Sequence, residues 1–563
     1  MRKAESSTIN IISLGLTTIT IAVWSSGVTD PVNVTKLFLL GGFALAALGS
    51  ALSLNLLNIF KEHRFFMISV LLFLVNSVVV LFTSPAPFVQ SLYGVYGRNN
   101  GFLLYLLLGL IALATLSLRE NVHFSRFILA IGLAGGINLV YAIWVTFFGD
   151  FIGWNNPYGN LLGTLGNPNF IGSFFGMISG PLFVFLMRQQ SLLKVKIIAL
   201  ICIVLVAFGI QQTSAVQGRV LFAANFFIIG FFYLRIKFSR ILPQIVYLCV
   251  SGGLGVIAIL GTLQVGPLTK FVYKTSVSLR GEYWYAAWKT GIDNPWFGVG
   301  FDSFGDWYRR SRRDSALVLP GVETVTNAGH NVFLDIFAFG GFPLLATYVM
   351  MVVAVSISIL KFIKLGPRFD PIFLSLLTVW LSYQAQSIIS INQVGLAIWG
   401  WVFGAAIVAY ERNYIAEKAS TQSESTKNRK LRNQEPVISP NMRAGLAFVI
   451  GLLIAVPPLS SDIGWSRAML SQDASLYEKE LGGGYLHPLN SIKMDTMVST
   501  FGQNGLDELA YKYGKQAVEF NPNSFNAWQN FLQLSKISNE EKNIAIENLL
   551  RLDPLNPNIK DLS

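Results

Sequence analysis

The sequence predicts an all-α protein, a polytopic transmembrane helix bundle of about 13 spans, with a large extracytoplasmic loop and a small, repeat-like α-helical C-terminal domain. Three observations predict it. With 53% hydrophobic and 13% charged residues among 563, there are too few polar side chains to cover a water-soluble globule. Apolar runs close to the ~20 residues that cross a bilayer recur along the chain. The turns between them alternate between basic and nearly uncharged, the pattern of the positive-inside rule.

The predicted spans run, in order, over residues 9–24, 37–60, 65–82, 102–118, 127–148, 170–187, 197–210, 220–234 and 241–263, then 342–360, 372–389, 396–410 and 444–459. The first lacks a small-residue cleavage site and reads as a retained helix. With the N-terminus inside, the inward turns carry Lys61 with Arg64, Arg119 with Arg126, Arg188 with Lys194 and Lys196, Arg235 with Lys237 and Arg240, and Lys361 with Lys364 and Arg368. The net charge of +12 therefore reflects topology and implies no nucleic-acid partner. The expected topology is multi-pass, with a cytoplasmic N-terminus, an extracytoplasmic C-terminal domain and membrane lipids as immediate partners. Cys202 and Cys249 both fall in predicted spans and read as apolar fillers.

Four regions follow. Residues 1–410 form the membrane domain, including the outer loop 264–330; 411–441 is polar and reads as a flexible cytoplasmic linker; 442–461 is the final span; 462–563 is an extracytoplasmic tail. In the tail, Leu506, Leu509, Ala510, Tyr513 and Ala517 recur at helical spacing, and a second helix begins at Phe525. Leu552-Asp553-Pro554 echoes Phe520-Asn521-Pro522 at ~32 residues, near the ~34 of a tetratricopeptide repeat. The tail reads as tetratricopeptide-like, with an unrelated helical cap as the alternative.

The polar residues that hydropathy does not explain sit on the outer side. Arg98, in a glycine- and aromatic-rich turn, offers a planar fork to phosphate oxygens or else snorkels to headgroups. Asn167 and Asn169 open a helix and can cap it or present amides to a ligand. Gly172, Gly176 and Gly180 read as a helix-packing face. Arg219 breaks the charge asymmetry of its turn, and Arg280 leads a helix with Trp284 and Trp288 below it on one face. Arg309, Arg310, Arg312 and Arg313 are either solvated or a field that draws in an anion. Asp302 and Asp306 read as a solvated pair, and no metal constellation stands out. His330 is the sole outer histidine close to the membrane; its imidazole can take a proton from a hydroxyl, or it belongs with Asn331 to a hydrogen-bonded helix start.

Taken in order, Gly97-Arg98-Asn99-Asn100-Gly101, Gly166-Asn167-Pro168-Asn169-Phe170, Arg280 with Trp284 and Trp288, Asn294-Pro295-Trp296-Phe297-Gly298-Val299-Gly300 and Gly329-His330-Asn331 resemble the O-antigen ligase and polymerase-like family of bacterial membrane proteins. The resemblance implies a metal-independent, cofactor-free glycosyltransferase of cell-surface polysaccharide biosynthesis, located in a bacterial cytoplasmic (inner) membrane. Its donor would be an undecaprenyl-pyrophosphate-linked glycan, and its acceptor a hydroxyl on a glycan, lipid or protein. It further implies that Arg280 and Arg98 bind pyrophosphate and that His330 acts as base, with Arg219, Asn167, Asn169, Asn331, Arg309 and Arg310 as candidate substrate contacts. A polysaccharide polymerase or protein O-glycan ligase is the nearest alternative. A transporter is more distant, since its ionisable groups would lie mid-membrane and the spans hold few beyond Asp335 and Gln384. A third reading is a scaffold whose tail recruits an envelope protein.

Overall fold

The computed structural model describes residues 2–52, 54, 56–273, 275–422 and 438–560, and every regular element among them is a helix. The apolar runs become α1 (Arg2–Ile21), α2 (Asn33–Ala51), α3 (Arg64–Thr83), α4 (Phe102–Thr115), α5 (Ser125–Phe148), α6 (Pro168–Met187), α7 (Leu193–Thr213), α8 (Val216–Lys237) and α9 (Leu242–Thr262). The long loop contributes α10 (Thr275–Asp293) and α11 (Phe304–Ser311). After it come α12 (Val332–Leu365), α13 (Pro371–Ile389), α14 (Val394–Gln422) and α15 (Pro440–Ser471). The tail holds α16 (Ala474–Leu481), α17 (Ser491–Gln503), α18 (Asp507–Phe520), α19 (Phe525–Leu532) and α20 (Asn539–Leu552).

Among the described residues, 11 helices are long and apolar enough to cross a membrane. Two of the predicted spans fall outside that group. At 14 residues α4 is short, and α1 is diluted by charged and hydroxyl side chains in its first turns. Helix starts follow local chemistry: Asn167, Asn331, Asp370 and Ser439 each accept backbone N–H bonds at the first turn of α6, α12, α13 and α15.

The bundle is layered around α14, whose apolar window is wholly buried, whereas α9 is exposed along nearly all its length. Inside, Trp399 of α14 donates to Thr20 Oγ1 at 2.9 Å, and Lys36 Nζ donates to the carbonyls of Ile19, Thr20 and Ala22, closing the C-terminal end of α1 with a cation. The glycines of α6 do pack helices: side chains added at Gly172, Gly176 and Gly180 would press on Thr213 and Ala215, on Leu221 and on Thr378. The tightest seam joins α2 to α15, where Gly41 and Gly451 bring backbone against backbone and leave no room for a methyl group.

Two expected boundaries shift. Helix α14 continues to Gln422, so the first part of the linker placed at 411–441 is helical, and residues 423–437 lie outside the described residues. Helix α15 continues to Ser471, carrying Trp465 and Ala468 into the tail's apolar core, so the boundary at 461 falls inside one unbroken helix. That core also contains Tyr477, Met497, Phe501, Trp528 and Leu549, with Tyr96 of the membrane domain packed against it. Helices α16 and α17 were not foreseen; both lack the long periodic run that marks α18.

Candidate active site

The site is framed by a broken helix. Helix α12 loses helical geometry at Gly340 and Gly341, freeing backbone groups that a straight helix would pair internally. The segment Pro295–Gly300 takes them up: Val299 N donates to Ala338 O at 2.9 Å, Gly300 N to Phe339 O at 3.0 Å, and Phe342 N to Pro295 O at 2.7 Å. Gly298 stands at φ +61° against Phe339 and Gly340, so a side chain there would be both strained and overlapping. The Pro-Trp-Phe-Gly-Val-Gly motif is thus a backbone splint that fixes the loop to the first turns of α12.

A second splint fixes Arg98. The buried Asp302 carboxylate accepts from Val95 N at 2.8 Å and Asn100 N at 3.2 Å, and its other oxygen meets Arg98 Nη2 at 3.1 Å. Asn33 adds a bond to Gly97 O at 2.8 Å. From the tail, Lys493 lies 4.9 Å over the Tyr96 ring while its ammonium donates to Ser461 O and Oγ at 2.8 Å each. The guanidinium of Arg98 therefore stands on a tightly tied turn, facing a cavity of about 540 Å³ whose walls include Asn33, Asn100, Trp154, Asn167, Phe170 and Gln393. Another wall, Thr29–Asp30, is held by Asp462 of α15, which accepts from Thr29 N at 2.8 Å and Asp30 N at 3.1 Å.

His330 sits at the entry to α12 with φ +54°, between Gly329 and the capping Asn331. Asp335, buried one turn into the helix, accepts from Gly329 N at 2.6 Å and so pins the turn that aims the imidazole. Tyr283 of α10 stacks on the ring, 5.5 Å between centroids and 27° between planes, and Trp284 Nε1 reaches His330 O at 3.4 Å. Arg280 lies one turn earlier on α10. Among the described residues it has no hydrogen-bond or ion-pair partner, its Nε is buried, and burial lowers its pKa. Burial, then the charges of Arg280 and of Arg98, push the His330 pKa down to about 4. Of the two guanidinium groups that depress the imidazole pKa, Arg98 is paired with Asp302, while Arg280 has no carboxylate partner among the described residues.

The other expected contacts distribute unevenly. Asn331 accepts from Phe333 N and Leu334 N and serves as the cap. Asn167 accepts from Asn169 N at 2.9 Å, yet its amide also lines the large cavity and donates to Tyr158 Oη at 3.2 Å, while Asn169 contributes that backbone bond. Arg219 is engaged by Gln211 at 3.2 Å. Arg309 and Arg310 are not a field open to an anion. Arg309 is held by Asp553 at 2.9 Å and Glu323 at 3.3 Å, and Arg310 stacks 3.8 Å over Trp307 and bonds Asn523 at 3.1 Å. Trp288 is exposed and packs on Phe337 rather than beneath Arg280. Asp302 and Asp306, expected as a solvated pair, are not free in solvent: Asp302 is buried, and the half-buried Asp306 accepts from Gln90 and Asn521, both at 3.0 Å. Asp302 and Asp335 are the site residues that sequence reasoning missed. For Asp335 the signal was an ionisable side chain inside an apolar run; for Asp302 there was none.

The fold is a helical membrane bundle whose long loop sets Arg280, unpaired among the described residues, near His330. Residues 170–349, about a third of the chain, match the family model for O-antigen ligase, so this multi-pass chain carries an O-antigen ligase-like domain, which supports ligase- or polymerase-type glycan transfer in general. The matched segment contains Arg280, His330 and Asp335 as well as both halves of the splint at Gly340. No curated protein matches the chain significantly.

Proposed function

We propose that the protein transfers a glycan from an undecaprenyl-pyrophosphate carrier to an acceptor hydroxyl at the outer face of a bacterial cytoplasmic membrane, without a metal. The observation that carries this reading is Arg280: a half-buried guanidinium with a buried Nε and no counter-charge among the described residues, one helical turn from the aromatic pair that holds His330. An unpaired buried cation is costly unless function needs it, and a pyrophosphate leaving group needs cations where negative charge develops.

The chemistry follows from the geometry. Pyrophosphate lies against Arg280 and Arg98, and the glycan enters the cavity beyond Arg98, whose amides and two aromatic rings suit hydroxylated rings. The acceptor oxygen attacks the anomeric carbon as its proton passes to the neutral His330 ring. The carbon–oxygen bond to the carrier breaks with its electron pair going to pyrophosphate, and a single displacement inverts the anomeric centre. In the free protein His330 is a weak base because burial, and then two guanidinium charges, disfavour its protonation; bound pyrophosphate offsets the charges, so basicity rises when substrate is present. Asp302 and Asp335 act as positioning residues, one for Arg98 and one for the His330 turn.

With the loop outside, the tail lies outside too, as a tetratricopeptide-like succession of helices braced against the loop. The test is transfer in vitro from an undecaprenyl-pyrophosphate glycan with chelator present. Transfer by the wild type, with His330→Ala slowed by ~10²–10⁴-fold, is expected. Full activity of His330→Ala, or loss of wild-type activity to the chelator, would overturn the respective part of the reading.

A further inference from the structure

Cations on the face of the bundle opposite the long loop fall into two groups. Around α1, α3 and α5 they are matched by carboxylates: Arg119 pairs with Glu62, and His123 meets Glu5 at 3.1 Å. The other half of that face is different. Its three turns, residues 188–196, 235–241 and 361–370, carry three lysines or arginines each and a single carboxylate between them, Asp370. Asp370 is employed within the fold, accepting from Phe373 N at 2.9 Å and from Tyr410 Oη at 3.1 Å. Glu411 stands near Lys361, yet none of the cations in these three turns closes an ion pair among the described residues.

Two of these cations meet. Arg235, at the end of α8, donates through Nη2 to Ile363 O at 3.4 Å, and Arg368, in the turn between α12 and α13, donates through Nη1 to Arg235 O at 3.3 Å. Arg235 is half-buried and its Nη1 is buried without a partner, while Arg368 is exposed. Two guanidinium groups from separate elements thus share one seam with only backbone carbonyls to offset their charge, an arrangement that repulsion disfavours until an anion joins it. Exposed apolar side chains stand among the cations of the same turns: Leu192 and Leu193 before Lys194, and Ile241 and Leu242 after Arg240. Cationic and apolar groups interleaved at exposed helix ends match the boundary between phospholipid headgroups and acyl chains.

We infer that Arg235 and Arg368 hold the phosphate of an anionic phospholipid, in the leaflet opposite the loop, with its acyl chains along the exposed start of α9. Planar guanidinium forks suit phosphate oxygens, and neither arginine has a carboxylate to release first. A nucleic acid or an acidic peptide would neutralise the charge but leave Leu193, Ile241 and Leu242 in water. The pyrophosphate donor proposed above lies at the other face, against Arg280 and Arg98, so this is a separate site, and it stands whether or not glycan transfer is the reaction. Bound there, the lipid joins α8 to the far end of α12, the helix that opens beside His330.

The test is native mass spectrometry and thermal melting of the purified full chain in a nonionic detergent, with short-chain phosphatidylglycerol and phosphatidylcholine as probes. Phosphatidylglycerol should bind about tenfold more tightly than phosphatidylcholine and raise the thermal midpoint, and Arg235→Gln with Arg368→Gln should remove most of that preference. Arg64→Gln with Arg126→Gln, the same loss of charge on the other half of the face, should change it by about twofold or less. If the first double variant does not fold, Arg368→Gln alone, exposed and bonded to one backbone carbonyl, should still weaken phosphatidylglycerol by about threefold or more. Equal binding of the two lipids, equal losses in the two double variants, displacement of the lipid by equimolar inorganic phosphate, or preferential binding of polyglutamate or an RNA oligonucleotide would each overturn the inference.

Discussion

Two groups of arginines share the long loop, and the structure uses them in opposite ways. Arg309, Arg312 and Arg313 each meet a carboxylate, at Asp553, Asp553 and Glu282. Arg280 meets none among the described residues. In the sequence the run at 309–313 is the conspicuous one, with four cations in five residues, while Arg280 is alone. Density of charge along the chain therefore misled about where an anion would be taken, because a cation is available to a ligand only when the fold has not already neutralised it. The paired group serves architecture, locking α11 to the end of α20; the unpaired one is the cation that the proposed function assigns to pyrophosphate.

The comparison breaks most sharply at Asp553. Its carboxylate is completely buried, meets Arg309 at 2.9 Å and Arg312 at 2.8 Å, and takes a further bond from Asn556 at 3.1 Å. Among the described residues, Asp553→Ala leaves the buried Arg312 without a counter-charge and Arg309 with Glu323 alone, a change that costs about 3–5 kcal/mol for a buried pair. The expected outcome is loss of proteolytic protection of the tail and a lower thermal midpoint in detergent. Replacing the network with apolar side chains, Arg312→Met with Arg309→Met and Asp553→Leu, should recover much of that stability. Equal stability of Asp553→Ala and wild type would mean that the tail is not held by this cluster.

Arg280→Gln should do the reverse. No ion pair is lost, so the thermal midpoint should stay level or rise, while turnover falls by ~10²–10³-fold, the usual loss when one group stabilising developing negative charge is removed. Transfer kinetics and a melting curve on the same preparation check both halves. A variant that unfolds earlier yet keeps its turnover would put Arg280 with the structural arginines.

Next in size is Gly298→Ala. The residue sits at φ +61°, where an L side chain is strained, and the added methyl would overlap Phe339 and Gly340 at the break in α12. Strain of this kind costs about 1–3 kcal/mol before the overlap is counted. The midpoint should fall and turnover with it, because the splint and His330 share the first turns of α12. A fall in midpoint with unchanged turnover would uncouple the splint from the site.

How far the sequence reached follows from the range of the interactions involved. Apolar runs, caps at Asn167 and Asn331 and the packing role of Gly172 and Gly176 are set by residues within a few positions, so they are legible locally. The partners of Arg309 and Arg312 lie more than 200 positions away, at Asp553, and nothing near either end announces the meeting. The motif Pro295–Gly300 stood out by its composition, but its task became visible only with the break at Gly340 beside it. Asp302 looked like any loop aspartate until the turn at Val95–Asn100 closed around it.

The smallest expected effect concerns the pH at which activity fails on the acid side. The groups facing His330 are Arg280, Tyr283 and Trp284 from α10, Arg98 from the Gly97–Asn100 turn, and Asp335 within its own helix. Burial and the two guanidinium charges together hold its pKa down at about 4, so the base stays neutral, and kcat/KM persists, until the pH falls through that value. Removing the Arg280 charge relieves one of the two repulsions, favours the protonated ring and moves the acid limb of kcat/KM to higher pH in Arg280→Gln. In the wild type the limb of kcat, which reports the complex, should likewise lie above that of kcat/KM, because bound pyrophosphate screens the same charges. Limbs that coincide in both comparisons would show that Arg280 does not sense the protonation of His330, and would leave the cation and the imidazole serving separate steps.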